Sequence, residues 1–292
     1  PNNSARDLVR TKSDAVGLVV RGVSNPFYTD IIRAIERTIT DAGFTMVMQQ
    51  IGTCDDEVKC GAVMEREKRL QGIVFLGGRF DYTPADLAML NVPFVCCSYS
   101  NRYGTLIEGE YSSVSIADGD TAQQAVEELY RHGHRRIAAL ISRPNDQSIS
   151  QLRYEGYVQA LESHGIPVDP ELVISTGGFD VRDAYSAIKA ALERGTDFTA
   201  LFAIADSMAI GAMRALMDAG RRIPEDCSVI AIDGLELSAY IEPPLTTLCQ
   251  PMEEMGRRSA EILLDMVRHK GPHACELLPT TLRQGRSVAA PR

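Results

Sequence analysis

Residues 15–48 read AVGLVVRGVSNPFYTDIIRAIERTITDAGFTMVM, and this stretch decides the fold. Ala15–Val20 is a short, unbroken apolar run rich in valine, the pattern of a strand covered on both faces. Asn25-Pro26 then punctuates the chain, and Ile31, Ile32, Ile35 and Ile39 recur at helical spacing up to Gly43. Phe44–Met48 is a second apolar run. A strand, a helix and a strand in so short a span predict a parallel βαβ unit with the helix laid across the sheet.

The alternation continues. A charged helix is predicted over Asp55–Leu70, a strand over Ile73–Leu76, a helix around Pro84–Leu90 and a strand over Phe94–Cys97. It then starts afresh with helices over Ala122–Arg131, Leu152–His164, Val181–Arg194 and Ser207–Ala219. Between and after these lie strands over Ile137–Ile141, Leu172–Ser175, Ala200–Ala203 and Ser228–Ile232, and a long helix over Met255–His269 closes the series. The expected class is α/β: two doubly wound parallel-sheet lobes joined by multiple crossovers, with a ligand cleft between them. The loop Ser98–Asp120 carries the first crossing. Glu242–Gln250, with Pro243-Pro244, carries a return, and a third strand passes back near Leu277–Leu282. The expected division is a segment 1–12, a first lobe of 13–116 plus about 249–277, and a second of 117–248 plus about 278–292.

Composition bounds the function. With 292 residues, 45% hydrophobic and 24% charged, the chain has ordinary globular composition and ample length for two cores. It shows no apolar run near 18 residues and no secretory pattern at its start, so a cytoplasmic setting is expected. The seven cysteines are scattered, without C-x-x-C, and read as buried reduced thiols; no metal or cofactor is expected. G-x-S-x-G, P-loop, H-E-x-x-H and dinucleotide fingerprints are all missing, which argues against an enzyme. The net charge of −9 does not attract a polyanion, so any DNA contact needs a separate basic element. Such an element opens the chain: PNNSARDLVRTK carries Arg6, Arg10 and Lys12 around Leu8 and Ala5. An apolar side chain flanked by cations suits a minor-groove wedge, while packing on the domain is the alternative.

The loops after the strands hold the candidate ligand groups. Asn25 offers an amide or caps a helix; Phe27 and Tyr28 offer flat faces, or Phe27 belongs to the core. Arg153 aims a fork of donors at the cleft or pairs at the surface. Phe179, behind Gly177-Gly178, is a stacking face, and Asp206 and Asp233 follow strands, where a carboxylate accepts hydroxyls or caps the next helix. Aromatic faces with planar polar groups suit a neutral polyhydroxylated ligand.

These motifs together resemble the LacI/GalR transcription regulators. The opening is similar to their hinge pattern, roughly P-N-x-x-A-R-x-L. Ser24-Asn-Pro-Phe-Tyr28, Gly133-His-Arg-Arg-Ile137, Arg153-x-x-Gly-Tyr157, Ala209-x-Gly-Ala212, Ile223-Pro-x-Asp-x-Ser-Val-Ile-Ala-Ile-Asp233, Pro243-Pro-Leu-Thr-Thr247 and Gln250-Pro resemble their effector domains in order and spacing. The resemblance implies effector contacts from Asn25, Phe27, Tyr28, Arg153, Phe179, Asp233 and Gln250, operator contacts from Ala5, Arg6 and Leu8, and a homodimer. It also implies a helix-turn-helix reader ahead of Pro1. Two positions depart from the pattern. Ala205-Asp206 replaces the usual Asn-Asp, and Ser98 stands where an Asp is frequent, so a sugar-like effector would be held by fewer polar groups. The functional expectation is a regulator, most simply a repressor, whose operator affinity responds to a small effector, a sugar or sugar derivative. The alternative is a solute-binding receptor of a transport system.

Overall fold

The computed structural model describes residues 14–22, 26–53, 55–107 and 109–291. Ala5, Arg6, Leu8 and Asn25 therefore lie outside the described residues. The chain divides into two compact units, the first comprising 14–115 of the described residues with Pro251–Leu278, the second Ile116–Gln250 with 279–291. Three connections run between them, at 115/116, 250/251 and 278/279.

The first unit contains strands β1 (Ala15–Arg21), β2 (Thr45–Ile51), β3 (Gly72–Leu76), β4 (Phe94–Cys97), β5 (Ser113–Ser115) and β11 (Cys275–Leu277). They form one sheet in the order β11-β5-β4-β3-β1-β2, every pair parallel. Helix α1 (Tyr28–Asp41) buries Ile31, Ala34, Ile35 and Ile39, the stripe read from the sequence except Ile32, which is only half-buried. It ends where Gly43 takes a φ of +84°, a left-handed turn that glycine adopts without cost. Helix α2 (Glu57–Lys68) starts on Asp56, whose carboxylate accepts the Lys59 N–H at 3.0 Å. Helix α3 is one short turn, Pro84–Leu87, opened by a Thr83/Asp86 capping box.

The second unit contains β6 (Ile137–Ile141), β7 (Val173–Ser175), β8 (Ala200–Ala203), β9 (Ser228–Asp233), β10 (Thr246–Cys249) and β12 (Thr281–Arg283), in the order β12-β10-β9-β8-β6-β7. All pairs are parallel except β10–β12. Helices α4 (Asp118–Arg131), α5 (Ile149–Ser163), α6 (Val181–Glu193) and α7 (Asp206–Asp218) cover it, and α8 (Met252–His269) returns to the first unit to pack on α1. Two of the family-like motifs are explained here by packing. A Cβ on Gly156 would strike the Gly119 carbonyl where α5 crosses α4, and one on Gly211 would strike the Val181 carbonyl where α7 crosses α6.

The structure differs from the expectation in several elements. Helix α4 begins at Asp118 instead of Ala122 and α5 at Ile149 instead of Leu152, so Arg153 lies in the second turn. β5 and β10 fall inside segments read as loops, and the single return strand is two, β11 and β12, one in each unit. Their sequences, SVS, TTLC, CEL and TLR, lack the continuous apolar run by which the equally short β4 and β8 are legible. The thiols also divide: Cys96, Cys97 and Cys227 are buried, Cys60 and Cys249 half-buried, and Cys275 exposed. Among the described residues, no helix is long and apolar enough to cross a membrane, and no cluster of three His, Cys, Asp or Glu could hold a metal.

Candidate functional site

At the carboxyl ends of β8, β9 and β10 the second unit buries a guanidinium. Arg153 is 2% exposed. Its Nε donates to Asp118 Oδ1 at 2.9 Å, and its Nη1 donates to the Ile204 carbonyl at 2.5 Å and to Asp233 Oδ1 at 3.3 Å. The surface ion pair that a helix-borne arginine usually makes is thus ruled out. A buried charge of this kind is tolerable only with partners, and Arg153 has two carboxylates. Burial by itself would pull the guanidinium pKa down, yet Asp118 and Asp233 hold it above its ordinary value. Burial raises both carboxylate pKa values, with Arg153 opposing the rise in each case.

Asp233 ends β9 with a φ of +138°, a backbone region that costs a non-glycine residue about 1–3 kcal/mol. Its Oδ1 accepts both Arg153 and, at 2.8 Å, the amide Nε2 of Gln250, which follows β10. Asp233 Oδ2 and Gln250 Oε1 are buried and have no hydrogen-bond partner in the protein. Two orphaned acceptors on neighbouring strand ends are unusual in a folded interior and call for a donor-bearing ligand or water.

Asp206 is placed differently from the expectation. It is fully buried, and both oxygens are taken: Oδ2 accepts the Leu235 N–H at 2.8 Å and the Ser238 hydroxyl at 2.6 Å, while Oδ1 accepts the Thr247 hydroxyl at 2.5 Å. It fastens the 3₁₀ turn Glu236–Ala239 and β10 to the start of α7, with both oxygens already engaged inside the unit. Phe179, after β7, is half-buried against the second unit's core, and its carbonyl accepts the Ser207 hydroxyl at 2.9 Å.

In the first unit, Phe27 is buried, as a core residue is, and its ring lies 5.6 Å from that of Tyr28. The Tyr28 hydroxyl packs over Gly77 at the end of β3, where a φ of +68° and this contact both exclude a side chain. Ser98 follows β4 at a φ of +55°, buried, its N–H donating to the Val114 carbonyl at 2.9 Å. The polar centre here is Glu57, which the sequence reading passed over. Its Oε1 accepts the Arg79 N–H at 2.8 Å and the Tyr82 hydroxyl, and its Oε2 lies 3.4 Å from Arg21 Nε. The Tyr82 ring stacks on Tyr99 at 5.4 Å, and burial drives the phenol pKa far above its ordinary value. Asp118 was missed as well. Both acids open a helix, where an acidic residue normally serves the helix dipole; no local signal separates one that reaches a distant arginine.

Residues 126–288 match the family described as a periplasmic binding protein-like domain. The chain is 36% identical to the HTH-type transcriptional regulator MalR of Clostridium butyricum, over 97% of this chain and 84% of that protein. Among solved structures, a transcriptional regulator CelR–cellobiose complex superposes with a TM-score of 0.83 at 30% identity, covering 98% of this chain and 89% of that one. The lac repressor dimer bound to operator and the anti-inducer ONPF gives a TM-score of 0.83 at 25% identity, with 99% of each chain covered.

Proposed function

Because the chain belongs to the LacI/GalR family of transcriptional regulators, which are not enzymes, we propose that it is the effector-binding region of a cytoplasmic repressor answering to a small sugar-like molecule. The observation that carries the effector reading is the pair of orphaned acceptors, Asp233 Oδ2 and Gln250 Oε1, beside a guanidinium already fixed by Asp118. Hydroxyl groups of a sugar supply the donors these two oxygens lack. Phe179, after β7, offers an apolar face, and the family resemblance assigns Phe27, Tyr28, Asn25 and Ser98 to the effector as well. The cellobiose held by the CelR structure is a ligand of this chemistry.

The operator contacts fall to Ala5, Arg6 and Leu8 together with a helix-turn-helix preceding Pro1, and the regulator acts as a homodimer. Leu237 and Tyr240 support the dimer, since they are 62% and 77% exposed on the turn after β9, an apolar surface that a second copy would cover. Effector binds one conformation of the regulator better than the other, and operator affinity shifts by that difference. The relatives favour this reading over a transport receptor.

The test uses the regulator with its DNA-reading segment. A ligand found by thermal shift should change operator affinity at least fivefold in fluorescence anisotropy at fixed salt, and Asp233→Ala should abolish that response while operator binding persists. Operator binding indifferent to every ligand that stabilises the protein would overturn the proposal.

A further inference from the structure

The strand-end cluster of the second unit carries more negative charge than it balances. One guanidinium, Arg153, faces two carboxylates, Asp118 and Asp233, all three at most 4% exposed. The nearby Asp206 does not change this balance, because Arg283 stands 4.0 Å from it. Arg143, after β6, is exposed, so water screens its charge; its Nε donates to the Gly177 carbonyl at 2.9 Å. Above about pH 7, the value to which burial pushes Asp233, one unbalanced negative charge therefore remains in the buried set. The unmet needs of that set point the same way: Asp233 Oδ2 and Gln250 Oε1 are acceptors, while the second unit's one orphaned donor among the described residues, Arg283 Nε, belongs to the guanidinium that faces Asp206. Asp118 makes the shorter contact with Arg153, 2.9 Å against 3.3 Å for Asp233, so it is Asp118 that neutralises the guanidinium and leaves Asp233 in excess.

We propose that this site takes an uncharged ligand presenting two hydrogen-bond donors and refuses phosphorylated or carboxylated ones, with Asp118 as the positioning residue that sets the discrimination. The inference rests on the effector-site reading above. A unit negative charge about 7 Å from the surplus carboxylate, at an effective dielectric of about 20, lowers affinity roughly 50-fold. Without the charge of Asp118, Arg153 would balance Asp233 alone and most of that penalty would vanish.

The experiment is calorimetric titration of this chain at pH 8, where Asp233 carries its charge, with matched pairs: glucose and glucose 6-phosphate, ribose and ribose 5-phosphate, cellobiose and cellobionate, adenosine and adenosine 5′-monophosphate. The expected result is that any pair which binds does so at least tenfold more tightly through its neutral member. Asp118→Asn, nearly isosteric and so expected to fold, should cut that ratio at least fivefold, whereas a merely structural role would weaken both members equally. An anionic member that binds as tightly as its neutral partner overturns the charge inference and leaves the regulator reading intact. An unchanged ratio in Asp118→Asn overturns the role of that residue. Absence of binding by all eight compounds overturns the ligand class; operator binding by the longer protein then decides the regulator reading separately.

Discussion

Replacing Arg153 by Met should destabilise the second unit by about 3–5 kcal/mol at pH 8, the cost of removing one partner from a buried ionic set. The side chain is 2% exposed and bridges three groups, Asp118 at 2.9 Å, Asp233 at 3.3 Å and the Ile204 carbonyl at 2.5 Å. Methionine retains most of the apolar stem, so lost packing is a small part of the effect. What remains is two buried carboxylates with no cation. Burial already raises both pKa values with Arg153 present, and its removal raises them further. A group whose folded pKa is raised gives stability that is full below its unfolded pKa and lost as pH rises through the folded one. The penalty should therefore shrink steadily as pH falls from 8 towards 5 and the two buried acids take up protons. Two units unfolding separately would blur a single transition. Hydrogen exchange of β8 and β9 peptides, with β1 and β3 peptides as the internal control, therefore gives the sharper reading. A variant within 1 kcal/mol of the parent at pH 8, or a penalty that grows on acidification, would refute the reasoning.

Three further outcomes are expected. Asp206→Asn should cost roughly 3 kcal/mol of stability, because an amide N–H₂ must face donors that a carboxylate now accepts, yet should leave effector affinity of the folded protein within about threefold; denaturant titration beside calorimetry checks both. Gly156→Ala should destabilise by about 1–2 kcal/mol in the same titration. The new methyl meets the Gly119 backbone carbonyl, which cannot swing aside, and this outweighs the gain in helix propensity of about 1 kcal/mol. Leu237→Glu with Tyr240→Glu should sediment as monomer where the parent sediments as dimer, without loss of secondary structure, since both side chains are exposed.

Local patterning was enough for the architecture. The valine-rich run at β1, the isoleucines of α1 spaced for one helical face, and the same alternation from Ile137 onward imply parallel sheets covered by helices, because these periods are properties of neighbouring residues. Arg153 and Asp233 were also within reach, as polar residues on a helix after a strand and at a strand end, and Gln250 through the family motif. The sequence could not rank them. Asp206 and Asp233 look alike in the sequence, each an aspartate at the end of an apolar run, but both oxygens of Asp206 are engaged by Leu235, Ser238 and Thr247 while Asp233 keeps an oxygen without a donor. Asp118 and Glu57 look like ordinary helix openers, yet one reaches a guanidinium 35 positions away and the other a phenol 25 positions away. Whether a buried polar atom is satisfied depends on partners brought from distant parts of the chain, so only the tertiary structure decides it.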